Sequence, residues 1–475
     1  MDAPPRRSFE APMQPLRPYG GVNEPVLLYE GEVGAGDRGV RRGRVEMRCN
    51  PDPSVRWSID PDADEDDGYY EPGPIDLTVQ RSGQVISIAA YRDSATEGWI
   101  NGASVAGSDT PLRRVLVSWM NLPEIVGPNV LTEKTESRTT SWAGRWRCEA
   151  AGWAMTLDSR PDHSEATKHV KSNRSYLVTH TMDIRRANHG AFTPKQAQDL
   201  LDQLRVVFSF AFGFWVAPVL PTGFDAEQNA VWEDWISPIC DPARRVSPGW
   251  LYRGRPQDLT DLVGRALPAL ADPRRPGTTR LQMQLAVTAM ENGFVEQRIL
   301  AAAPALENLG WTRLVRERRW TESQYKTRRA EDRLRYLLQE AHIPTAVDPA
   351  VLPRLAEFAY TKNIDGPTAV TRVRNELVHP QLPGRLYRHE GLVEETWLLL
   401  RRYLNLLILH DIGYKGSVVD PSQISGWEGD TSPVPWINAA PGFRPPMPPH
   451  QQTTRDNRHR GNRDMRRPHE GTGGA

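Results

Sequence analysis

The sequence predicts an α+β protein: an N-terminal antiparallel β domain, sandwich-like, followed by a C-terminal all-α helical bundle. Three observations predict it. Between residues 26 and 186, short β-branched or alternating runs are separated by Gly, Pro and Asp clusters, which is the layout of strands whose side chains point to opposite faces in turn. From residue 279 onward, apolar residues recur at helical spacing in segments joined by short connections, as in an antiparallel bundle. The chain has 475 residues, too many for one ordinary core, so the two patterns belong to separate domains.

Taken in order, residues 1–24 are rich in proline and arginine without any period and read as a disordered lead. The β-rich domain spans 25–190, with strand-like runs VLLYEGEV, RVEMRC, IDLTVQ, QVISIAAY, LRRVLVSWM, GWAMTLDS and YLVTHTMDI. Within it, residues 60–71 place Asp62, Asp64 and Asp66 in the alternation of a calcium loop. The glycine falls one place late at Gly68 and the closing carboxylate position holds Gly73, so a solvated acidic loop without metal is expected. Ten of the 15 tryptophans precede residue 251. Filling a β core and a domain interface is the expectation, with an exposed sensing surface as the alternative.

Residues 191–275 read as a helical and irregular bridge. Thr193 is a good N-cap, Pro194 sits where a missing N–H costs nothing, and Gln196 can close a capping box. Leu200, Leu204, Val207 and Ala211 then mark a buried face, and the helix should stop near Gly213. A short helix follows at 258–270, and RRPG at 274–277 marks a domain boundary. Residues 276–437 form the helical domain, with helices at 279–290, 294–309, 331–341, 349–363, 368–379 and 390–412. Gly310 and Gly413 should cap two of them, and Pro304 should kink the second. Residues 438–475 read as a disordered basic tail.

Charge excludes a global electrostatic footprint. Lys plus Arg and Asp plus Glu are both 59 and the pI is about 7.2, so any nucleic-acid site must be a local patch. Cys49, Cys148 and Cys240 are isolated and odd in number, which argues for buried small side chains and against a disulfide framework or a paired-cysteine zinc site. No apolar run follows the N-terminal arginines, and the run at 398–409 is interrupted by Arg401, Arg402 and Asn405. The expectation is a soluble, cytoplasmic chain with no membrane span and no cofactor.

Chemistry is concentrated in residues 368–380, TAVTRVRNELVHP. As a helix, this segment puts Val370, Val373 and Leu377 on a buried stripe and Arg372, Asn375 and His379 on a second one, with Arg374 long enough to lean into the same groove. Pro380 ends the helix. A guanidinium can clamp a phosphate oxygen while an imidazole moves the 2′-hydroxyl proton, so the pair suits phosphodiester cleavage without a metal. Spacing alone does not decide, because it recurs at Arg174/His180, Arg335/His342 and Arg463/His469.

RNELVHP at the end of a short helix, followed by a long Leu-rich helix closed by GYKG, resembles the HEPN ribonuclease fold, and within it the ApeA-like branch of bacterial phage-defence proteins. VEQRILAAAPALENLGW at 295–311 resembles that branch's long helix ending in Ala-Leu-Glu, and VPW at 434–436 its C-terminal signature. The resemblance covers residues 280–437. It implies Arg374, Asn375 and His379 as catalytic residues of a metal-independent endoribonuclease that leaves a 2′,3′-cyclic phosphate. It also implies a homodimer through the helical domain and an abortive-infection, antiviral role. The partners would be host RNA, with tRNA among the candidates, and a phage-derived trigger on the N-terminal domain. The basic run at 312–329 offers Arg318 and Arg319, with Arg372, as RNA-binding residues beside Trp320 and Tyr325 for base stacking; it reads equally as a solvated loop. The alternative function is a catalytically silent, dimerising or ligand-binding scaffold. On that view Arg374 pairs with Glu376 or Glu307, and His379 only caps the helix C-terminus.

Overall fold

Alternation along the N-terminal strands builds two β structures. The structure, a computed structural model, describes residues 9–61, 71–81, 84–100, 102–104, 109–134, 136, 138–244, 249–291, 293–379, 384, 386–419, 428–438 and 445. The acidic loop at 62–70 and most of the tail beyond 438 lie outside these residues. β1 (Phe9–Glu10) precedes β2 (Val26–Ala35), β3 (Val40–Arg48), β4 (Ser54–Ile59), β5 (Gly73–Arg81), β6 (Gln84–Arg92) and β7 (Glu97–Ile100). Strands β2 to β7 close into a barrel in the order β2-β3-β4-β7-β6-β5. A sandwich was expected; the short β7 bridges β4 to β6 while β2 pairs with both β3 and β5, so this sheet has no free edge. Val33, Met47, Val55, Trp57, Leu77 and Ile100 fill its interior. Gly98 permits the close approach: a Cβ there would meet the Tyr91 carbonyl and lie 2.6 Å from the Trp57 ring.

The second structure is a nine-stranded sheet. It adds β8 (Gly102–Ser104), β9 (Arg114–Met120), β10 (Asn129–Lys134), β11 (Thr139–Ala150), β12 (Trp153–Ser159), β13 (Val178–Arg186), β14 (Ala217–Phe224) and β15 (Ala230–Ile236). Their order is β1-β10-β11-β12-β13-β9-β14-β15-β8. Two expectations are corrected here. The described part of the lead is held in the fold: β1 pairs with β10, Glu10 accepts from Arg145 at 2.6 Å, and the Met13 N–H donates to Asp158 at 2.8 Å. Hydrogen bonding to Arg147 and Arg145 holds the Glu10 carboxyl down at about 2 against the opposing effect of burial. The supposed bridge at 191–275 is also part of the sheet, because β14 pairs with β9 and β15.

α1 (His163–Asn173) connects β12 to β13, and α2 (Pro194–Phe212) lies against the sheet. The capping box at Thr193 and Gln196 forms, and Gly213 takes the left-handed conformation at φ 74°, as the sequence indicates. Phe208 packs 4.9 Å from Trp119 and 5.9 Å from Trp146, ring to ring. Seven of the ten N-terminal tryptophans, Trp57, Trp119, Trp146, Trp153, Trp232, Trp235 and Trp250, are buried, so most of that aromatic surface is core.

α3 (Pro256–Leu270) leads to the helical domain: α4 (Thr278–Thr288), α5 (Val295–Trp311), α6 (Glu322–Lys326), α7 (Ala330–Glu340), α8 (Pro353–Thr361), α9 (Gly366–Val378) and α10 (Leu392–Asp411). One hydrophobic core runs from the sheet through α2 and α3 into this bundle, so the RRPG stretch is not a loose linker. α10 is its axis, burying Leu399, Leu400, Leu404, Leu406 and Leu407 against its neighbours. Gly310 does not end α5: it is buried beneath Tyr325, and the chain winds on as a π-helical turn to Glu317. α5 continues through Pro304, which faces solvent. Gly413 takes φ 76° after α10. The chain then folds back: Ser417–Val419 pairs with Thr431–Pro433, and the Trp436 indole donates to the Tyr414 carbonyl at 2.7 Å. Among the described residues no helix is long and apolar enough to cross a membrane.

Candidate functional site

α9 is set in place from its N-terminus. Asp365 caps it, accepting from the Thr368 N–H at 3.1 Å, and Arg335 of α7 grips the same carboxylate with two bonds of 2.6 and 3.0 Å. Such a two-point contact fixes orientation as well as charge. Burial pushes the Asp365 carboxyl up, but the Arg335 and Thr368 hydrogen bonds outweigh it and hold it below the ordinary range. Ala369, Val370 and Val373 are buried and Leu377 is half-buried, which is the apolar stripe read from the sequence. His379 ends the helix, its backbone N–H donating to the Asn375 carbonyl at 2.8 Å.

The polar residues divide between two cavities. Arg372, Asn375, Glu376 and His379 line a cavity of about 450 Å³ with Lys362 and His389; Arg372, Asn375, His379 and His389 are exposed. Arg374 is not in it. Five residues separate Arg374 from His379, which is about 140° around a helix, and Arg374 lines a cleft of about 60 Å³ with Glu307, Tyr325 and Arg333 on the α5/α7 side. The expectation of one shared groove within the chain is therefore not met. Asn375 connects the two sides, since its side-chain oxygen accepts from Arg374 Nη1 at 3.0 Å. Arg374 forms no ion pair among the described residues: Glu307 is taken by Arg333 at 3.2 Å and by the Tyr325 hydroxyl at 3.1 Å.

The basic stretch after α5 is mostly structural. Arg318 donates to the buried carboxylate of Glu340, and Arg313, Glu317, Arg275 and Asp411 extend the ion cluster. Burial pushes the Asp411 carboxyl up, against the Arg275 and Arg313 charges. Glu340 lies about 10 Å further along α7 than Arg333, away from His379. Arg319 is exposed at φ 58°. Trp320 and Tyr325, expected to stack on bases, are buried; Trp320 packs on Tyr336 at 5.1 Å and Tyr325 on Trp311 at 5.1 Å.

Two of the other Arg/His spacings are accounted for by packing. Arg335 is bound to Asp365, and His180 is buried beside His163 with ring centroids 5.1 Å apart. The sequence reading missed Lys362 and His389. His389 lies ten positions after His379 in the connection to α10, so a second histidine beyond the helix-ending proline was the available signal.

Fold and site together define a class: an α+β protein whose helical domain presents an open cavity bearing two imidazoles and two cationic side chains. The chain matches the YopA central domain family over residues 107–246 and the YopA C-terminal domain family over residues 280–431. The first span takes in β9 to β15, including the strands of the supposed bridge. The chain is similar to the SPbeta prophage-derived uncharacterized protein YopA of Bacillus subtilis (strain 168), 24% identical over 352 residues that cover 73% of this chain and 77% of that protein. No solved structure matches it.

Proposed function

We propose that the protein is a metal-independent endoribonuclease of the HEPN type, acting as an abortive-infection effector on host RNA at a cleft made where two helical domains pair. One observation carries the reading: exposed His379 and Arg372 share a cavity of about 450 Å³ with Lys362, so a proton-transfer group and phosphate-binding charges meet in one open space. His379 would take the 2′-hydroxyl proton, and Arg372 would hold a non-bridging oxygen as charge develops on phosphorus. Arg374 would join from the flank of α9 through the pairing of two chains. The prophage-derived relative is in keeping with a role in conflict between phages and their hosts.

A second reading is favoured by a specific contact. Arg374 is half-buried and its guanidinium is held by neighbouring Asn375, outside the cavity of His379, which favours a silent dimerising scaffold although the partner is not the Glu376 or Glu307 expected on that view. The test is induced expression of wild type, Arg374→Ala and His379→Ala, following growth, RNA integrity and soluble yield together. The nuclease reading expects RNA ends bearing 2′,3′-cyclic phosphate, with cleavage lowered on the order of a hundred-fold to ten-thousand-fold in His379→Ala. Intact RNA in cells expressing soluble wild type favours the scaffold, and full cleavage by His379→Ala refutes His379 as the proton-transfer group.

A further inference from the structure

The cavity at the C-terminal end of α9 contains a second imidazole that the nuclease reading leaves unused. His389 follows the helical turn Leu386–Arg388 and lines the same space as His379. Its ring stands edge-on to Phe358 at 6.3 Å, and Lys362 Nζ lies 5.1 Å from the centroid of that same phenyl ring. Phe358 thus stands beside both a cation and an imidazole. Arg372 and Glu376 of α9 and His379 at its C-terminal end line the same cavity. Glu376 Oε1 is buried with no hydrogen-bond partner among the described residues, so a carboxylate stands beside the imidazoles with capacity to orient one of them. Neither His379 nor His389 has its ring in a hydrogen bond among the described residues.

Transesterification of RNA has a geometric requirement that one imidazole does not meet. The attacking and leaving oxygens lie roughly in line on opposite sides of phosphorus, so a proton must be removed at one side and supplied at the other. We propose that His379 and His389 are the two ends of this proton traffic, with Arg372 and Lys362 on the phosphate between them; the inference rests on the nuclease reading of the site. The 2′-oxygen forms its bond to phosphorus as its proton passes to His379, and the bond from phosphorus to the 5′-oxygen breaks as that oxygen takes a proton from His389. The products are a 2′,3′-cyclic phosphate and a 5′-hydroxyl. Nothing is oxidised or reduced, and water returns the two imidazoles to their starting states.

The test uses the full chain and two oligonucleotides with a single cleavable ribonucleotide, one with the natural linkage and one with sulfur replacing the bridging 5′-oxygen. A thiolate leaves without protonation, so the second substrate needs no acid. His389→Gln should slow the natural substrate on the order of a hundred-fold or more and cut the sulfur-bridged one within about ten-fold of wild type, whereas His379→Gln should be slow on both. Wild-type rates for His389→Gln on the natural linkage, with His379→Gln slow, overturn the role of His389 and leave the nuclease reading standing. Equal slowing of His389→Gln on both substrates makes it a positioning residue and overturns the proposal. Wild type that cuts neither substrate overturns both.

Discussion

Arg318→Ala separates two roles for the basic stretch after α5. Its guanidinium donates to Glu340, whose side chain is 3% exposed while that of Arg318 is 24% exposed. Breaking a buried ion pair by removing one partner costs about 3–5 kcal/mol, because the remaining charge is left without compensation. Here Arg313 still reaches Glu340 at 3.4 Å, and Arg318 is partly solvated, so the loss should be about 2 kcal/mol. For a helical domain of this size that corresponds to a fall in Tm of roughly 4–8 °C. Glu340→Ala strands two arginines and should cost more, while the double variant should recover part of the loss. Thermal unfolding of the full chain is read beside the anisotropy of a labelled single-stranded RNA at several salt concentrations. Structural pairing expects a lower Tm with unchanged affinity and salt slope. A Tm within a degree of wild type, together with a salt slope reduced by about 0.7 as for one lost phosphate contact, would refute the argument and return Arg318 to the RNA surface.

Buried histidines should make the protein acid-sensitive above the carboxylate range. Burial holds His163 down at about 4 and His410 at about 4, so below pH 6.5 the unfolded chain binds protons that the native one refuses and stability falls with pH. His163 alone accounts for about 2 kcal/mol between pH 7 and 5, opposed by about 1 kcal/mol from Asp234, which burial raises to about 6. His163→Gln should flatten urea-midpoint profiles in that window, and an unchanged slope would contradict the assignment. Gly366→Ala tests the seating of α9: a Cβ there meets the Tyr403 hydroxyl and lies 2.8 Å from the Thr345 carbonyl. A loss of about 1–3 kcal/mol is expected from overpacking, read as a lower Tm with RNA cleavage reduced in parallel.

Legibility followed locality. α2 was readable because Thr193, Pro194, Gln196 and Gly213 signal within one turn of each end, and α9 because Val370, Val373 and Leu377 keep the helical period. The barrel was not, since its closure depends on β2 pairing with β5, more than forty residues downstream, and nothing in either run encodes a partner. β1 escaped for the same reason: two residues gain a strand only through β10, Arg145 and Arg147. At the site, sequence spacing placed Arg372, Asn375 and His379 on one face correctly, because that follows from helix geometry alone. It misjudged Arg374, whose direction is set by the space between α5 and α7, and it passed over His389, which reaches the cavity only through the turn after α9.

The separation of Arg374 from His379 constrains how two chains can pair if both are to act on one phosphate. They flank an exposed ridge on α9 that includes Asn375 and Val378, the latter 38% exposed. Two such ridges meeting face to face about a two-fold axis parallel to the helices set the Arg374 flank of one copy beside the His379 flank of the other. An axis perpendicular to the helices sets like flank against like. Only the parallel arrangement assembles a mixed site. Thr371 and Val378 are seven residues apart and lie almost in line along the helix, so in the parallel arrangement each would face its own copy. Thr371→Cys and Val378→Cys should therefore each form a disulfide-linked homodimer under mild oxidation, since bridging needs Cα atoms within about 7 Å. Burial raises the native Cys49 thiol to about 11 and Cys148 to about 12, and pushes Cys240 higher still, so none of them competes in the native state. Cross-linking confined to a mixture of the two variants would mean antiparallel helices, and with them a dimer in which Arg374 and His379 never meet.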